Sequence, residues 1–415
     1  MASRVADTSL ADAGHARIEW ADGQMPVLRS IRERFERERP LDGISVGLCL
    51  HVTAETANLV RTLMAGGARA MLCAANPLST QDDTAAALVD RYGAEVHAVR
   101  GEDVDAYAAN VAALVAGEPQ VTIDDGADLI TVLHAAGGER AERLLGAMEE
   151  TTTGLVRIRG LEAEGRLACP VYAVNEARSE RAFNDRYGTG QSTLDGILRA
   201  TNLLLAGRTF VVLGYGWTGR GVAIRARGAG ASVIVCEVDP LAALEARMEG
   251  FEVMPALDAA ARGDVFVTVT GGRDALTREH FERMKDGAVL ANSGHFDVEI
   301  SVADLRELAV GGVREVRPLV EQFDLGDRRL NLLARGRVVN LAAAEGHPAA
   351  VMDLSFALQA LCAEELVRRR GELTAGVHPV PAHIDREVAA LKLAALGVQI
   401  DGLTPEQAVY LRSWE

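Results

Sequence analysis

Short apolar runs that end abruptly in polar residues punctuate the first third of the chain: ISVGLCLHVT (44–53), RAMLCAANP (69–77), AEVHAV (94–99) and VTIDDGAD (121–128). Between them, TAETANLVRTLMAGG and TQDDTAAALVDRYG place apolar residues at helical spacing. Runs of this length read as strands buried on both faces, and strands alternating with helices predict a parallel sheet. A second series runs from about Arg208 to about Asn340, as FVVLGYG, SVIVCEVD, DVFVTVTGG, AVLANSGH and RVVNLAAAEGHP. From about Met352 the pattern becomes mainly helical, with one Pro-punctuated loop at HPVPAH. The fold class is therefore α/β. Ligands of such sheets bind beyond the carboxyl ends of the strands, and His51, Asn76 and Asp125 all fall just past such ends.

Composition narrows the class. A chain of 415 residues can bury two cores. A net charge of −16 gives no electrostatic help to nucleic-acid or membrane binding. No segment approaches the roughly 18 uninterrupted apolar residues of a membrane span, and the start lacks a signal-peptide pattern. The five cysteines are dispersed without a CxxC pair, which argues for reduced thiols in a cytoplasmic protein and against a zinc site.

The strongest local motif is FVVLGYGWTGRG. Gly214, Gly216 and Gly219 follow a predicted strand and open a predicted helix, and the next strand ends on Glu237. That arrangement suits a dinucleotide: a tight turn, close approach of backbone to pyrophosphate, and an acid about 20 residues on for the adenosine ribose. An acid there repels a 2′-phosphate, so NAD is favoured over NADP. His51, His295 and His347 lie in carboxyl-edge loops; the other six histidines read as surface or core. Asp124 and Asp125 could simply cap a helix, and Glu149 and Glu150 could be an exposed helix end.

Together these segments resemble the S-adenosyl-L-homocysteine hydrolase family over essentially the whole chain. The matching motifs, in order, are HVTAET (51–56), NPLSTQD (76–82), DDGAD (124–128), EETTTG (149–154), GYGWTGRG (214–221), NSGHFDVEI (292–300) and VNLAAAEGHP (339–348). The ending, LTPEQAVYLRSWE, resembles the family's shorter branch, without the Lys/Tyr tail that reaches a neighbouring subunit's NAD. The resemblance implies two Rossmann-like doubly wound domains. Residues 1–180 would bind substrate, completed by about 350–390; residues 181–349 would bind NAD; residues 391–415 would form the tail. It also implies a homo-oligomer, a tetramer, and no metal.

The resemblance further implies a cycle in which tightly bound NAD oxidises a ribose 3′-hydroxyl, the 4′-proton is removed, and the 5′ substituent is eliminated. By position, Asp125 corresponds to the acid near C4′, Glu150 to the one at the ribose hydroxyls, and His51 and His295 to the pair at the leaving group. Thr53, Glu55, His347 and Met352 correspond to the adenine-binding set, with Asn76 beside them. Thr151, Thr152, Thr153, Glu237, Asn292, Asn340 and again His347 correspond to cofactor contacts.

One stretch departs from the family. In NEARSERAFNDRYGTGQS, starting at Asn175, family members carry a Lys and then, four residues on, Asp-Asn. This chain has Glu180 and then Asn184-Asp185. Losing the Lys removes a cation suited to general-base work, although a carboxylate can also serve. The expected activity is therefore a redirected one: an adenine nucleoside dehydrated to a 4′,5′-unsaturated product. Ordinary adenosylhomocysteine hydrolysis is the alternative, and a silent NAD- and nucleoside-binding paralogue the third reading.

Overall fold

The computed structural model describes residues 3–135 and 138–413. The first sheet contains β1 (Ser45–Leu50), β2 (Arg69–Ala74), β3 (Glu95–His97), β4 (Val121–Asp124), β5 (Gly146–Glu149) and β6 (Pro170–Ala173). The second contains β7 (Thr209–Leu213), β8 (Ser232–Cys236), β9 (Glu252–Val253), β10 (Val265–Thr268), β11 (Val289–Asn292), β12 (Gly312–Arg317), β13 (Val320–Asp324) and β14 (Arg329–Leu333). A last strand, β15 (Gly376–Pro379), returns to the edge of the first sheet.

The first sheet has the order β15-β6-β5-β4-β1-β2-β3 and is parallel throughout. The second has the order β12-β13-β14-β11-β10-β7-β8-β9, parallel from β14 to β9. The central strands, such as SVGLCL and TFVVL, are buried along almost their whole length because helices cover both faces. Strand order reverses at β1, between β4 and β2, and at β7, between β10 and β8. Loops leave in opposite directions at such points and open a crevice between them.

Four readings of the sequence need correction. HPVPAH is not simply a loop: His378 and Pro379 belong to β15, where the proline sits at an edge and ends the strand. RVVNLAAAEGHP makes only a bridge from Val338 to Asn292 before the short helix Val339–Ala342. The antiparallel pairs β12–β13 and β13–β14 were not anticipated, since their exposed, charged strand GVREVR hides the apolar signal. The stretch from Asn175, which the sequence reads as one short helix, is longer than that. It winds as a wide π-helical segment, Glu180–Thr189, that runs directly into the α-helix Gly190–Thr201.

The helix Ala349–Arg368 is buried along most of its length and packs back onto the first sheet's layer. Asp353 fixes it there, accepting from the N–H groups of Val27 and Leu28 and from Lys392 Nζ. Asp385 does the same for the π-helical segment, accepting from the N–H groups of Arg178 and Ser179. Each carboxylate satisfies orphan donors at a helix start. Among the described residues of the tail, Leu396, Ile400, Leu403, Val409, Tyr410 and Leu411 are exposed.

Candidate active site

The carboxyl ends of the two sheets face each other across a cavity of about 380 Å³, large enough for a nucleoside. His51, the first residue beyond β1, places Nε2 3.3 Å from Asp125 Oδ2, the first residue beyond β4. From the other sheet, the loop after β11 brings His295 over the same point; a Cβ on Gly126 would lie 3.7 Å from its Nε2. Burial lowers the His51 pKa, against the pull of Asp125, and His295 lowers it further. His347 bonds Thr189 Oγ1 at 2.8 Å, and burial together with His51 pushes its pKa down to about 4.

The paired acids divide their work. Asp124 does cap a helix: its carboxylate accepts from the N–H groups of Leu129 and Ile130, while Asp125 turns into the cavity. Glu149 and Glu150 are not an exposed helix end. Glu149 is fully buried and accepts from the N–H groups of Gly126 and Thr151, which knits the ends of β4 and β5 together. Glu150 lines the cavity and is bonded by Gln359 Nε2 and, at 3.3 Å, by Asn184 Nδ2.

The divergent triplet is split by the fold. Asn184 and Asp185 line the cavity, but Glu180 does not. Glu180 lies behind the wall, where Ser355 Oγ reaches its two oxygens at 2.8 and 2.6 Å. Burial raises the pKa of both Glu180 and Glu150, that of Glu180 to about 8, and the charge of Glu180 raises Glu150 further, so the pair favours holding a proton. Burial pushes Asp185 up to about 7, opposed by Arg181. Among the described residues, neither Lys nor Arg lines the cavity. The chain has only two lysines, and both are committed elsewhere: Lys285 pairs with Asp264 and Lys392 with Asp353.

Other expected residues separate similarly. Thr53, Glu55, Met352, Thr151, Thr152, Thr153, Asn340 and His347 line the cavity, and burial raises the Glu55 pKa. Asn76 does not; its Oδ1 accepts from the Leu78 N–H and caps the turn Pro77–Ser79. Asn292 is fully buried and spends its amide holding the loop after β11, donating to the carbonyls of Gly294, Phe296 and Gly336. Ser79, Ser355 and Gln359 were missed. The last two had a signal: polar residues four apart in an apolar helix share one face with Met352.

The second sheet suits NAD. Gly214 has φ +103°, and a Cβ there would lie 2.6 Å from the Val269 carbonyl oxygen. A Cβ on Gly219 would lie 2.0 Å from the Gly214 carbonyl oxygen, so the helix Trp217–Gly228 can start close to β7 only without side chains. Glu237, at the tip of β8, accepts from the N–H groups of Tyr215, Val238 and Asp239, which fixes its carboxylate beside the glycine turn. At the cavity, Thr153 Oγ1 and Asn340 Oδ1 are buried without a protein partner, as expected of groups that serve a ligand.

Residues 2–145 match the family model for S-adenosyl-L-homocysteine hydrolase, and residues 185–346 match its NAD-binding domain. An adenosylhomocysteinase from Aquifex aeolicus is 60% identical over 412 residues, covering 99% of this chain and 98% of the relative. One from Thermosynechococcus vestitus is 55% identical over 411 residues, covering 99% and 96%. An S-inosyl-L-homocysteine hydrolase from Methanopyrus kandleri is 53% identical over 412 residues, covering 99% and 97%. With two doubly wound parallel sheets, an NAD fingerprint and these matches, the chain belongs to the S-adenosyl-L-homocysteine hydrolase family and is an NAD-dependent enzyme.

Proposed function

We propose that the protein runs an oxidation–elimination cycle on a 5′-substituted adenine nucleoside, with S-adenosyl-L-homocysteine hydrolysis as the first reading. The observation that carries it is the His51–Asp125 pair with His295 above it, at the point where the two sheets' carboxyl ends meet. The names of the relatives support the choice of thioether substrate. In this reading the first sheet's domain, residues 1–180 with about 350–390, binds substrate, and residues 181–349 bind NAD. The assembly is a homo-oligomer, a tetramer, which light scattering tests.

NAD supplies one function, reversible acceptance of a hydride from the sugar C3′. The chain's residues supply the rest. Asp185, on the cavity wall with its pKa near 7, takes the 3′-hydroxyl proton. Glu150 anchors the ribose hydroxyls, with Glu180 behind it. Asp125 removes the 4′-proton, acidified by the 3′-ketone. His51 and His295 protonate the leaving group and deprotonate the water that replaces it. Thr53, Glu55, His347 and Met352 hold the base.

A second reading is favoured by one observation: Glu150 and Asp185 line the 3′ wall, and among the described residues no lysine or arginine lines the cavity. Such a wall suits a different sugar, and a 5′-hydroxyl could then be the group expelled. If the ketone is reduced without water returning, the net reaction is loss of one water and formation of a 4′,5′-unsaturated nucleoside. The NAD-loaded protein is incubated with S-adenosyl-L-homocysteine and, separately, with adenine nucleosides bearing a free 5′-hydroxyl. Homocysteine release at an enzyme-like rate supports hydrolysis and excludes redirection. A product lighter by one water, without thiol, reverses that choice. No 4′ solvent-deuterium exchange with any ligand would sink both.

A further inference from the structure

We infer that Ser79 is a positioning residue that sets which nitrogen of His51 carries the proton; the consequence for turnover rests on the proposed role of His51 at the 5′ leaving group. His51 Nδ1 lies 2.6 Å from Ser79 Oγ, and Ser79 Oγ lies 2.9 Å from the Asn76 carbonyl oxygen. Ser79 is buried and held by its turn, which Asn76 Oδ1 caps through the Leu78 N–H. The neighbouring Gln81 ties this loop to the start of the helix Ala54–Ala65. Its N–H donates to the Val52 carbonyl, and its Oε1 accepts from the Ala54 N–H.

The donor count makes the turn a two-position switch. Ser79 has one hydroxyl proton and two acceptors for it. When the proton points to the Asn76 carbonyl, Ser79 Oγ accepts from His51 Nδ1–H. A neutral ring then presents a bare Nε2 to the cavity, and a charged one presents Nε2–H. When the hydroxyl turns to the ring, it donates to Nδ1, and the neutral ring carries its proton on Nε2, facing Asp125. The Asn76 carbonyl is not abandoned in that position, because the Ser79 N–H also donates to it at 3.1 Å. The orientation of one hydroxyl thus decides whether the neutral ring can take a proton at Nε2 or can only donate a hydrogen bond there, without moving the ring.

The groups facing His51 from other elements are Asp125 beyond β4, His295 from the loop after β11 and His347 from the loop before the helix Ala349–Arg368. None of them reaches Nδ1, so the switch belongs to Ser79. Loss of the hydroxyl leaves a partly buried ring nitrogen without its partner and weakens the imidazolium.

Two variants test this, Ser79→Ala and Ser79→Thr. The substrate-free readout is ring-nitrogen NMR of the holoenzyme, with His51 assigned by its absence in His51→Gln. In Ser79→Ala, His51 should titrate about one pH unit lower, and Ser79→Thr should return it towards the native value. With nucleoside present, the 5′ step should slow roughly ten- to a hundredfold in Ser79→Ala, with its pH limb displaced. The 3′ oxidation, followed by the near-ultraviolet band of the reduced cofactor, should change less than about fivefold. An unmoved His51 titration would overturn the inference, as would an alanine variant that slows both steps equally and is not rescued by threonine. If the unaltered enzyme oxidises no nucleoside, the proposed function fails, while the NMR titration still decides the role of Ser79.

Discussion

The two ends of one cavity are built on opposite principles. At the His51 end, groups of different ordinary pKa sit together: an imidazole, a carboxylate 3.3 Å away and a second imidazole from the other sheet. At the Glu150 end, two carboxyl groups line the cavity with a third behind them, and burial raises the pKa of all three. The first arrangement suits proton transfer because an imidazole and a carboxylate differ in ordinary pKa, so one can hold a proton while the other is ionised. The second must be made workable by burial, which lifts carboxyl pKa values towards 7 and 8 and lets hydroxyl and amide donors replace the missing cation.

The largest expected effect lies at the first end. Asp125→Asn should lower turnover by roughly 10²–10⁴-fold and abolish solvent-deuterium exchange at C4′, while 3′ oxidation survives as a reduced-cofactor signal. If oxidation is lost in parallel, the two ends are not separable. Next comes the wall itself. Asp185→Asn should slow 3′ oxidation by roughly 10²-fold and Glu180→Gln by about tenfold or less, because only Asp185 lines the cavity. The reverse order, read by single-turnover absorbance, would return the base role to Glu180.

The triple change Glu180→Lys, Asn184→Asp, Asp185→Asn asks whether the wall sets substrate choice. If the unaltered protein is a dehydratase, homocysteine release should rise in the variant, and only partly, because Ser355 and Gln359 still present the surroundings of a carboxyl group. If it is a hydrolase, rates should fall.

The smallest effect is on stability. Glu180 has a folded pKa of about 8 against an ordinary 4.5. Its contribution is therefore complete below pH 4.5 and lost as pH rises through 8, since the unfolded chain releases the proton first. Glu180→Gln cannot make that release. Its Tm should exceed that of the unaltered protein by a few degrees at pH 8 and differ little at pH 5. Equal melting at both values would remove the raised Glu180 pKa from the account.

Local signals carried much of this. Continuous apolar runs such as SVGLCL and TFVVL identify buried parallel strands, because only a sheet covered on both faces tolerates them. The glycine fingerprint is legible for the same reason: backbone must approach backbone, and only Gly214 and Gly219 allow it. β5 and β6 are too short for a period to show, β12 is exposed and charged along its length, and β15 ends in proline.

What the sequence determined by itself was the fold class, the cofactor and the place where the chain leaves its family, since each is written in contiguous residues. Tertiary structure alone decided how that departure is used. Glu180 and Asp185 are five positions apart, yet the wide winding of residues 180–189 leaves one behind the wall and the other on it. Asp124 and Asp125 are adjacent, yet one caps a helix and the other meets His51. Ser79, Ser355 and Gln359 gain their roles from partners 28 to 209 residues distant. A side chain's protonation depends on burial and on what stands opposite, and neither exists until the two sheets have formed and come together.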